Sequence, residues 1–123
     1  SIPFDWLARR ISEVNINLFI LESLPVPVFE DYKLSFSELS LLSAKLACID
    51  SRYTKWGKEV GAEVGSVTSE HEKQDIIHRI DALVAFLYGL DEDDIRVIFE
   101  TFHIGWDFTP RLNAVLSHFR SIK

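Results

Sequence analysis

The chain has 123 residues, of which 47% are hydrophobic and 26% charged, and its formal net charge is −6. This length supports one compact domain, and the composition is that of a globular protein rather than a disordered one. Its apolar runs are too short to cross a bilayer, and it contains no signal-peptide pattern. Cys48 is the single cysteine, so we expect no internal disulfide, no membrane partner and a reducing, cytoplasmic setting.

The charge is distributed unevenly along the chain. Residues 1–60 carry 8 acidic and 7 basic side chains, whereas residues 61–123 carry 11 and 6. An acidic balance argues against a self-sufficient nucleic-acid binder, because such domains are usually strongly basic. Any anionic partner should therefore contact the first half.

The first 34 residues predict mixed local structure. The opening Ser-Ile-Pro predicts a short helix over 4–11, because proline is tolerated in a first helical turn. Strand-forming side chains dominate 15–22, and Pro25 and Pro27 then favour an extended surface segment over 24–29. The abrupt opening indicates a fragment. A lone strand leaves its edge unpaired, so we expect it to pair within the chain, with another copy or with a missing part of a larger protein.

A long helix is predicted next. Ser35 and Glu38 have the spacing of a capping box, which marks a helix start. The apolar residues that follow are spaced alternately by three and four: Leu39, Leu42, Leu46, Ile49, Tyr53 and Trp56. This stripe predicts one continuous helix of about 30 Å. Three glycines then predict a flexible, Gly-rich loop over 57–68.

Three further helices are predicted in the second half. A second capping box, Ser-x-x-Glu over 69–72, begins a helix that ends at Gly89. Asp91 is the expected cap of the next helix, and Thr-Pro at 109–110 gives the cap and first turn of the last. We therefore predict a mainly α fold, a bundle of about four to five helices with one short strand-like, proline-containing segment near the N-terminus. Its two parts are 1–34 and a helical domain over 35–123.

The sequence contains no pattern typical of catalysis or metal binding. Phosphate-binding glycine loops, paired-cysteine zinc spacings and H-E-x-x-H are all missing, so we expect no catalytic, metal or cofactor-binding residue. His71 and His78 are two helical turns apart, about 10 Å, which is too far to share a metal ion. His103 and His118 are isolated, and all four histidines are predicted to lie on the surface.

The acidic run and most of the aromatic residues can be explained by roles in helix capping and core packing. The acidic run 92–94 fits the first turn of a helix, where negative charge suits the helix dipole. Trp56 continues the apolar stripe and is predicted to be core, and Cys48 beside the stripe is predicted to be buried. Trp6 and Trp106 stay open between core packing and stacking platforms for bases.

The basic residues are the remaining functional candidates. Arg9 and Arg10 are adjacent, while Arg52, Lys55 and Lys58 follow one another at single helical turns. Three positive charges on one helix flank predict contacts with DNA phosphates. The alternative is a solvated helix face without a partner.

Two blocks of sequence resemble one family of proteins. Residues 3–10 (Pro-Phe-Asp-Trp-Leu-Ala-Arg-Arg) and 15–27 (Asn-Ile-Asn-Leu-Phe-Ile-Leu-Glu-Ser-Leu-Pro-Val-Pro) resemble the end of the target-recognition region of large adenine-specific DNA methyltransferases. These include type IIG restriction–modification enzymes and related phage-defence methyltransferases. Residues 79–91 and 95–102 are similar to the C-terminal helices of the same proteins.

The resemblance implies that the chemistry lies outside this chain. The S-adenosylmethionine pocket and the Asn/Asp-Pro-Pro-aromatic motif of the parent methyltransferase would lie upstream, because neither occurs here. We expect a non-catalytic C-terminal fragment that docks on the remainder of the parent methyltransferase, helps to complete or support DNA target recognition, and contacts double-stranded DNA through the five basic residues. The alternative is a structural or oligomerising helical module without nucleic-acid contact, including a homo-oligomer paired through the exposed strand edge.

Overall fold

The computed structural model describes residues 1–12 and 17–122. These residues form seven α-helices and contain no β-strand. Two 3₁₀ turns, Phe29–Asp31 and Ser51–Tyr53, separate helices in the first half. The helices are α1 (Ile2–Ile11), α2 (Leu18–Ser23), α3 (Lys33–Ala47), α4 (Thr54–Val60), α5 (Glu70–Leu87), α6 (Glu92–Phe102) and α7 (Thr109–Arg120). The mainly helical class predicted from the sequence is confirmed.

Helix α5 is the centre of the bundle. It packs against α1, α3 and α7, while α6 packs against α1 and α7. The main core lies between α1, α5, α6 and α7 and comprises Ile2, Ala82, Ala85, Ile95, Ile98, Phe99, Leu112, Val115 and Leu116. Residues from before and after position 34 therefore share one core. None of the helices in the described part of the chain is long and apolar enough to span a membrane.

The predicted caps of α5 and α6 are confirmed. The Ser69 hydroxyl accepts a hydrogen bond from the Glu72 N–H at 3.1 Å, as expected at a helix start. In α6 the capping box is complete, with Asp91 Oδ1 accepting from the N–H of Asp93 and Asp94 at 2.9 Å. The Asp94 carboxylate in return accepts from the Asp91 N–H at 3.1 Å.

The predicted strand is wrong over residues 18–22, where the chain forms α2 instead. Asn17 caps this helix, because its Oδ1 accepts a hydrogen bond from the Ile20 N–H at 2.9 Å. A helix satisfies its backbone groups locally, whereas a strand needs a neighbour that the described residues do not provide. Residues 15 and 16 of the prediction lie outside the described residues. The extended segment predicted over 24–29, after the strand, has extended backbone at Leu24 and Val28.

The predicted long helix is two helices. Helix α3 ends at Ala47, and Asp50 begins a new turn by accepting a hydrogen bond from the Arg52 N–H at 3.0 Å. A side chain that caps a new turn competes with continuation of the old helix. As a result Ile49, predicted on the buried stripe, is 65% exposed.

The capping box predicted at Ser35 and Glu38 is wrong. Helix α3 already begins at Lys33, so Ser35 lies inside it, and the residue at the N-cap, Tyr32, makes no side-chain cap. Glu38 is committed elsewhere, because it forms an ion pair with Arg79 of α5. At the start of α7, similarly, Thr109 is the first helical residue rather than the cap.

Gly57 does not belong to a loop, contrary to the prediction. It lies within α4 and is buried, and a Cβ at this position would stand 2.7 Å from the Ala62 carbonyl oxygen. The chain after α4 folds back closely, with Ala62 buried beside Ala44 and Cys48 in a second small core. Cys48 is fully buried, as predicted.

Candidate functional site

The five predicted phosphate contacts lie in two separate packing environments. Arg9 and Arg10 are on α1, which packs on α5 and α6. Arg52 is in a 3₁₀ turn, while Lys55 and Lys58 are on α4, which packs on α3. The last three residues therefore do not form one flank of a single helix.

The two arginines of α1 are already engaged within the protein. Arg9 pairs with Asp5 one turn earlier, with Nε 3.1 Å from Oδ1, and its guanidinium lies 4.6 Å from the Phe102 ring centroid. Arg10 lies 4.6 Å from the ring centroid of Trp6. The rings hold both guanidinium groups in place. Asp5 neutralises Arg9, whereas Arg10 has no ion pair with a described carboxylate.

In the second packing environment, Arg52 is paired with a carboxylate, whereas the two lysines are not. Arg52 donates to Asp50 through Nη2 at 2.7 Å and Nε at 2.9 Å, and these side-chain hydrogen bonds hold the pKa of the Asp50 carboxyl below its usual value. Lys55 and Lys58 are exposed and form no ion pair with any carboxylate in the described part of the chain. They are three residues apart, so their side chains lie on the same side of α4.

Trp56, predicted to be core, is 42% exposed. The break after α3 ends the stripe to which it was assigned. Trp56 lies about 100° around α4 from Lys55 and about 160° from Lys58, so its ring does not share the side of the helix that carries the two lysines.

The other tryptophans are packing residues rather than open platforms. Trp6 Nε1 donates to the Thr101 hydroxyl at 2.9 Å. Trp106 stacks on Phe99 with ring centroids 5.9 Å apart and donates to the Phe99 carbonyl oxygen at 3.2 Å. Both indoles are therefore held by α6.

A second surface was not anticipated from the sequence. Between α2 and the start of α3, large hydrophobic side chains are exposed, reaching 80% for Phe19 and 88% for Leu34. We call this surface the apolar face; its residues are Leu18, Phe19, Leu21, Val26, Val28, Phe29 and Leu34. Clustering of so many exposed apolar residues in 17 consecutive positions is typical of an interaction surface.

The apolar face is anchored on the bundle. Leu24 is buried, the Tyr88 hydroxyl donates to the Pro25 carbonyl oxygen at 2.7 Å, and the Tyr32 ring meets Phe86 edge-on at 5.8 Å. These contacts hold the segment against the bundle at three points, while the side chains of the apolar face stay exposed.

The charge on the apolar face is acidic. Glu22, Glu30 and Asp31 are exposed and form no ion pair within the described residues. Lys33 is the single basic side chain between positions 17 and 34. This surface is therefore unsuited to a nucleic acid.

Sequence reasoning missed a buried ion pair. Asp81 of α5 is fully buried and accepts hydrogen bonds from Arg111 Nε at 3.0 Å and Nη2 at 2.6 Å. Its second oxygen accepts from the Ile2 N–H at 2.9 Å, so Asp81 caps α1 from another helix. The available signal was an aspartate within the apolar run Ile-Asp-Ala-Leu-Val over 80–84.

A cavity of about 700 Å³ adjoins this ion pair. Its wall includes Asp81, Arg111 and Asp5. Arg111 and Arg9 already pair with these two carboxylates. Among the described residues lining it, the cavity offers no uncommitted pair of acids for proton transfer.

Two histidines predicted on the surface are partly buried between α5 and α7. His118 Nε2 lies 2.8 Å from Asp75 Oδ1. Burial lowers the pKa of His78, and the nearby positive charge of Arg111 lowers it further. His71 and His103 are exposed, as predicted. Within the described part of the chain, no group of three or more histidine, cysteine or acidic side chains could hold a metal ion.

The chain was also compared with known proteins. No family model, no curated protein and no solved structure matches it.

Proposed function

We propose that this chain is a non-catalytic helical module of an adenine-specific DNA methyltransferase or restriction–modification enzyme, which helps to support DNA target recognition. The resemblance of residues 3–10 and 15–27 to the end of the target-recognition region, and of 79–91 and 95–102 to the C-terminal helices of such enzymes, supports this function. The S-adenosylmethionine site and the catalytic motif would belong to the remainder of the parent methyltransferase.

Uncompensated positive charge on α4 is the observation that carries the DNA contact. Lys55 and Lys58 are exposed, lie on one side of a short helix and have no acidic partner in the described residues. Arg9 and Arg52 are neutralised by neighbouring aspartates, and Arg10 lies over the Trp6 ring, so we assign these three arginines a smaller part of the phosphate contact. Two lysines one turn apart can contact neighbouring phosphates of one strand.

Titration of fluorescent duplex DNA with this chain at low and moderate salt tests the proposal. We expect weak binding that falls with salt, and a log–log salt slope smaller by about 2 for K55A/K58A. Lys73→Ala is the matched control, since Lys73 is exposed but lies beside Glu70 on α5. Binding that is unchanged by K55A/K58A, or is missing at low salt, contradicts the DNA contact.

The apolar face favours a second function, a protein-docking module. Its exposed residues include Leu18, Phe19 and Leu21 within the block that resembles the end of the target-recognition region. Covering exposed apolar side chains with a partner lowers the free energy of the system, so such residues on a fixed backbone favour docking. The predicted strand edge does not supply this docking over 18–22, because α2 is a helix.

A further inference from the structure

The cavity beside Asp81 is a groove between two helices. Helices α1 and α3 both pack on α5, and all three contribute to the wall of the cavity. Its volume, about 700 Å³, lies within the range of small-molecule sites in proteins. More than half of the residues in the wall are apolar, among them Phe4, Ala8, Leu46, Ile77, Ile80 and Phe102. A molecule that fills the groove therefore buries apolar surface.

Arg111 brings hydrogen-bond donors to this apolar wall. Its Nε and Nη2 donate to Asp81 at 3.0 Å and 2.6 Å, and this contact fixes the guanidinium group. A guanidinium group carries five N–H donors, so two on Nη1 and one on Nη2 are left over. None of the three meets an acceptor in residues 1–12 and 17–122, and 29% of the Arg111 side chain is exposed. These donors can therefore hydrogen-bond an acceptor atom of a ligand.

The charges in the wall favour an uncharged ligand. Asp5 and Asp81 both line the cavity, and each already pairs with an arginine. An anion would face both carboxylates, and a cation would have to compete with Arg9 or Arg111 for one of them. A neutral acceptor, such as the carbonyl oxygen of a ketone or an amide, avoids both costs.

We propose that the groove binds an uncharged aromatic molecule that carries one hydrogen-bond acceptor. Phe4 and Phe102 supply aromatic surface, and Arg111 donates to the acceptor. A largely apolar cavity with a few converging polar groups is the kind of place where small molecules bind. Lys55 and Lys58 are not part of its wall, so the site can be tested apart from the DNA contact.

Three naphthalenes that differ in one substituent test the class of ligand. Each is titrated into the full chain labelled with ¹⁵N, and the amide chemical shifts give the affinity. We expect 1-acetylnaphthalene to bind at least as tightly as 1-ethylnaphthalene, because the N–H groups of Arg111 replace the water that the carbonyl oxygen loses. The anion 1-naphthoate should bind at least about tenfold more weakly than the ketone, because it faces the carboxylates of Asp5 and Asp81.

Ser43→Trp tests the location of the site. Ser43 is an exposed residue of α3 in the cavity wall, so a large ring there narrows the groove without entering the core. We expect this variant to bind the ketone at least about tenfold more weakly. Ser37→Trp is the matched control, since Ser37 is exposed on the same helix but lies outside the cavity wall, and it should bind like the parent chain. Circular dichroism should show that both variants keep their helices.

Any of four outcomes overturns the inference. The first is that none of the three compounds shifts the amides of α1, α3 and α5. The second is a ketone that binds more weakly than the hydrocarbon, as expected of a purely apolar cavity. The third is a naphthoate that binds as tightly as the ketone, and the fourth is a Ser43→Trp variant that binds like the parent chain.

Discussion

At the scale of single residues, Asp81 is central to the packing of the helices. One fully buried carboxylate receives the guanidinium of Arg111 from α7 and the free N–H of Ile2 at the start of α1. It therefore joins three helices at one point. A buried charge is tolerated only when it is paired and hydrogen-bonded, and both oxygens of Asp81 meet that condition.

Arg111→Met should therefore lower the free energy of unfolding by about 3–5 kcal/mol, because it keeps the apolar stem but leaves the Asp81 charge buried and unpaired. Urea unfolding followed by circular dichroism measures the change. Arg120→Met is the matched control, since Arg120 lies on the same helix in an exposed pair with Glu92 and should have little effect. Equal losses of unfolding free energy in both variants would show that the buried pair contributes no more to stability than the exposed pair.

His78 should make stability depend on pH. Its pKa in the folded chain lies below the ordinary 6.5 because of burial and the positive charge of Arg111, with His118 lowering it further and Asp81 and Asp75 opposing the shift. The unfolded chain therefore binds more protons just below pH 6.5, so this contribution to stability is present above that pH and is lost as pH falls.

Accordingly, the melting temperature should fall between about pH 7.5 and about pH 5, and it should fall less in His78→Gln. Thermal unfolding of both proteins across this range measures the difference. His71→Gln removes an exposed histidine from the same helix and should leave the slope unchanged. Identical slopes for His78→Gln and the parent chain would rule out His78 as a source.

At the scale of elements, Gly57 distinguishes sequence propensity from tertiary structure. Glycine inside a helix normally costs about 1 kcal/mol relative to alanine, so propensity alone predicts that Gly57→Ala stabilises α4. The Ala62 carbonyl, 2.7 Å from the added Cβ, predicts the opposite, because this neighbour is backbone and cannot rotate away.

We expect Gly57→Ala to destabilise the chain by about 1–3 kcal/mol, as overpacking does. Gly89→Ala is the control for backbone strain without a clash, since Gly89 has φ of 69° and open space around an added Cβ. Chemical denaturation of the two variants separates the effects. A more stable Gly57→Ala variant would mean that the chain after α4 moves aside easily.

Whether a helix could be predicted from the sequence depends on how close together in the chain the residues that determine it lie. The caps at Ser69 and Asp91 act within four residues, so local sequence was sufficient for α5 and α6. The break between α3 and α4 depends on the Asp50 side chain, which caps a new turn and so competes with continuation of the helix. The periodicity of the apolar residues alone favoured one continuous helix.

The same limit applies to the surfaces. Exposure of Trp56 follows from that break, and the exposed Leu18, Phe19 and Leu21 lie on a helix, α2, where a strand was predicted. The pairing of Asp81 with Arg111 joins residues 30 positions apart, which no local pattern records. The sequence predicted five basic residues as a set, whereas the structure shows that two of them, Arg9 and Arg52, are paired with the neighbouring Asp5 and Asp50.

At the scale of the whole molecule, stability should be distributed unevenly. The main core draws on four helices and includes fully buried Phe99, Ile95 and Val115, whereas the second core holds only Ala44, Cys48 and Ala62 as buried members. Buried apolar area is the dominant source of stability, and the second core is small in that measure. Helix α2 contributes no buried residue at all.

Hydrogen exchange should therefore reveal at least two levels of opening. Amides in the middle of α5, α6 and α7 should exchange only through global unfolding, while those of α2 should exchange fastest and those of α4 at an intermediate rate. Mass-spectrometric hydrogen exchange of the full chain measures this order. Protection of α4 equal to that of α5 would show one cooperative unit. In that case the loss of the small core around Cys48 should unfold the entire bundle.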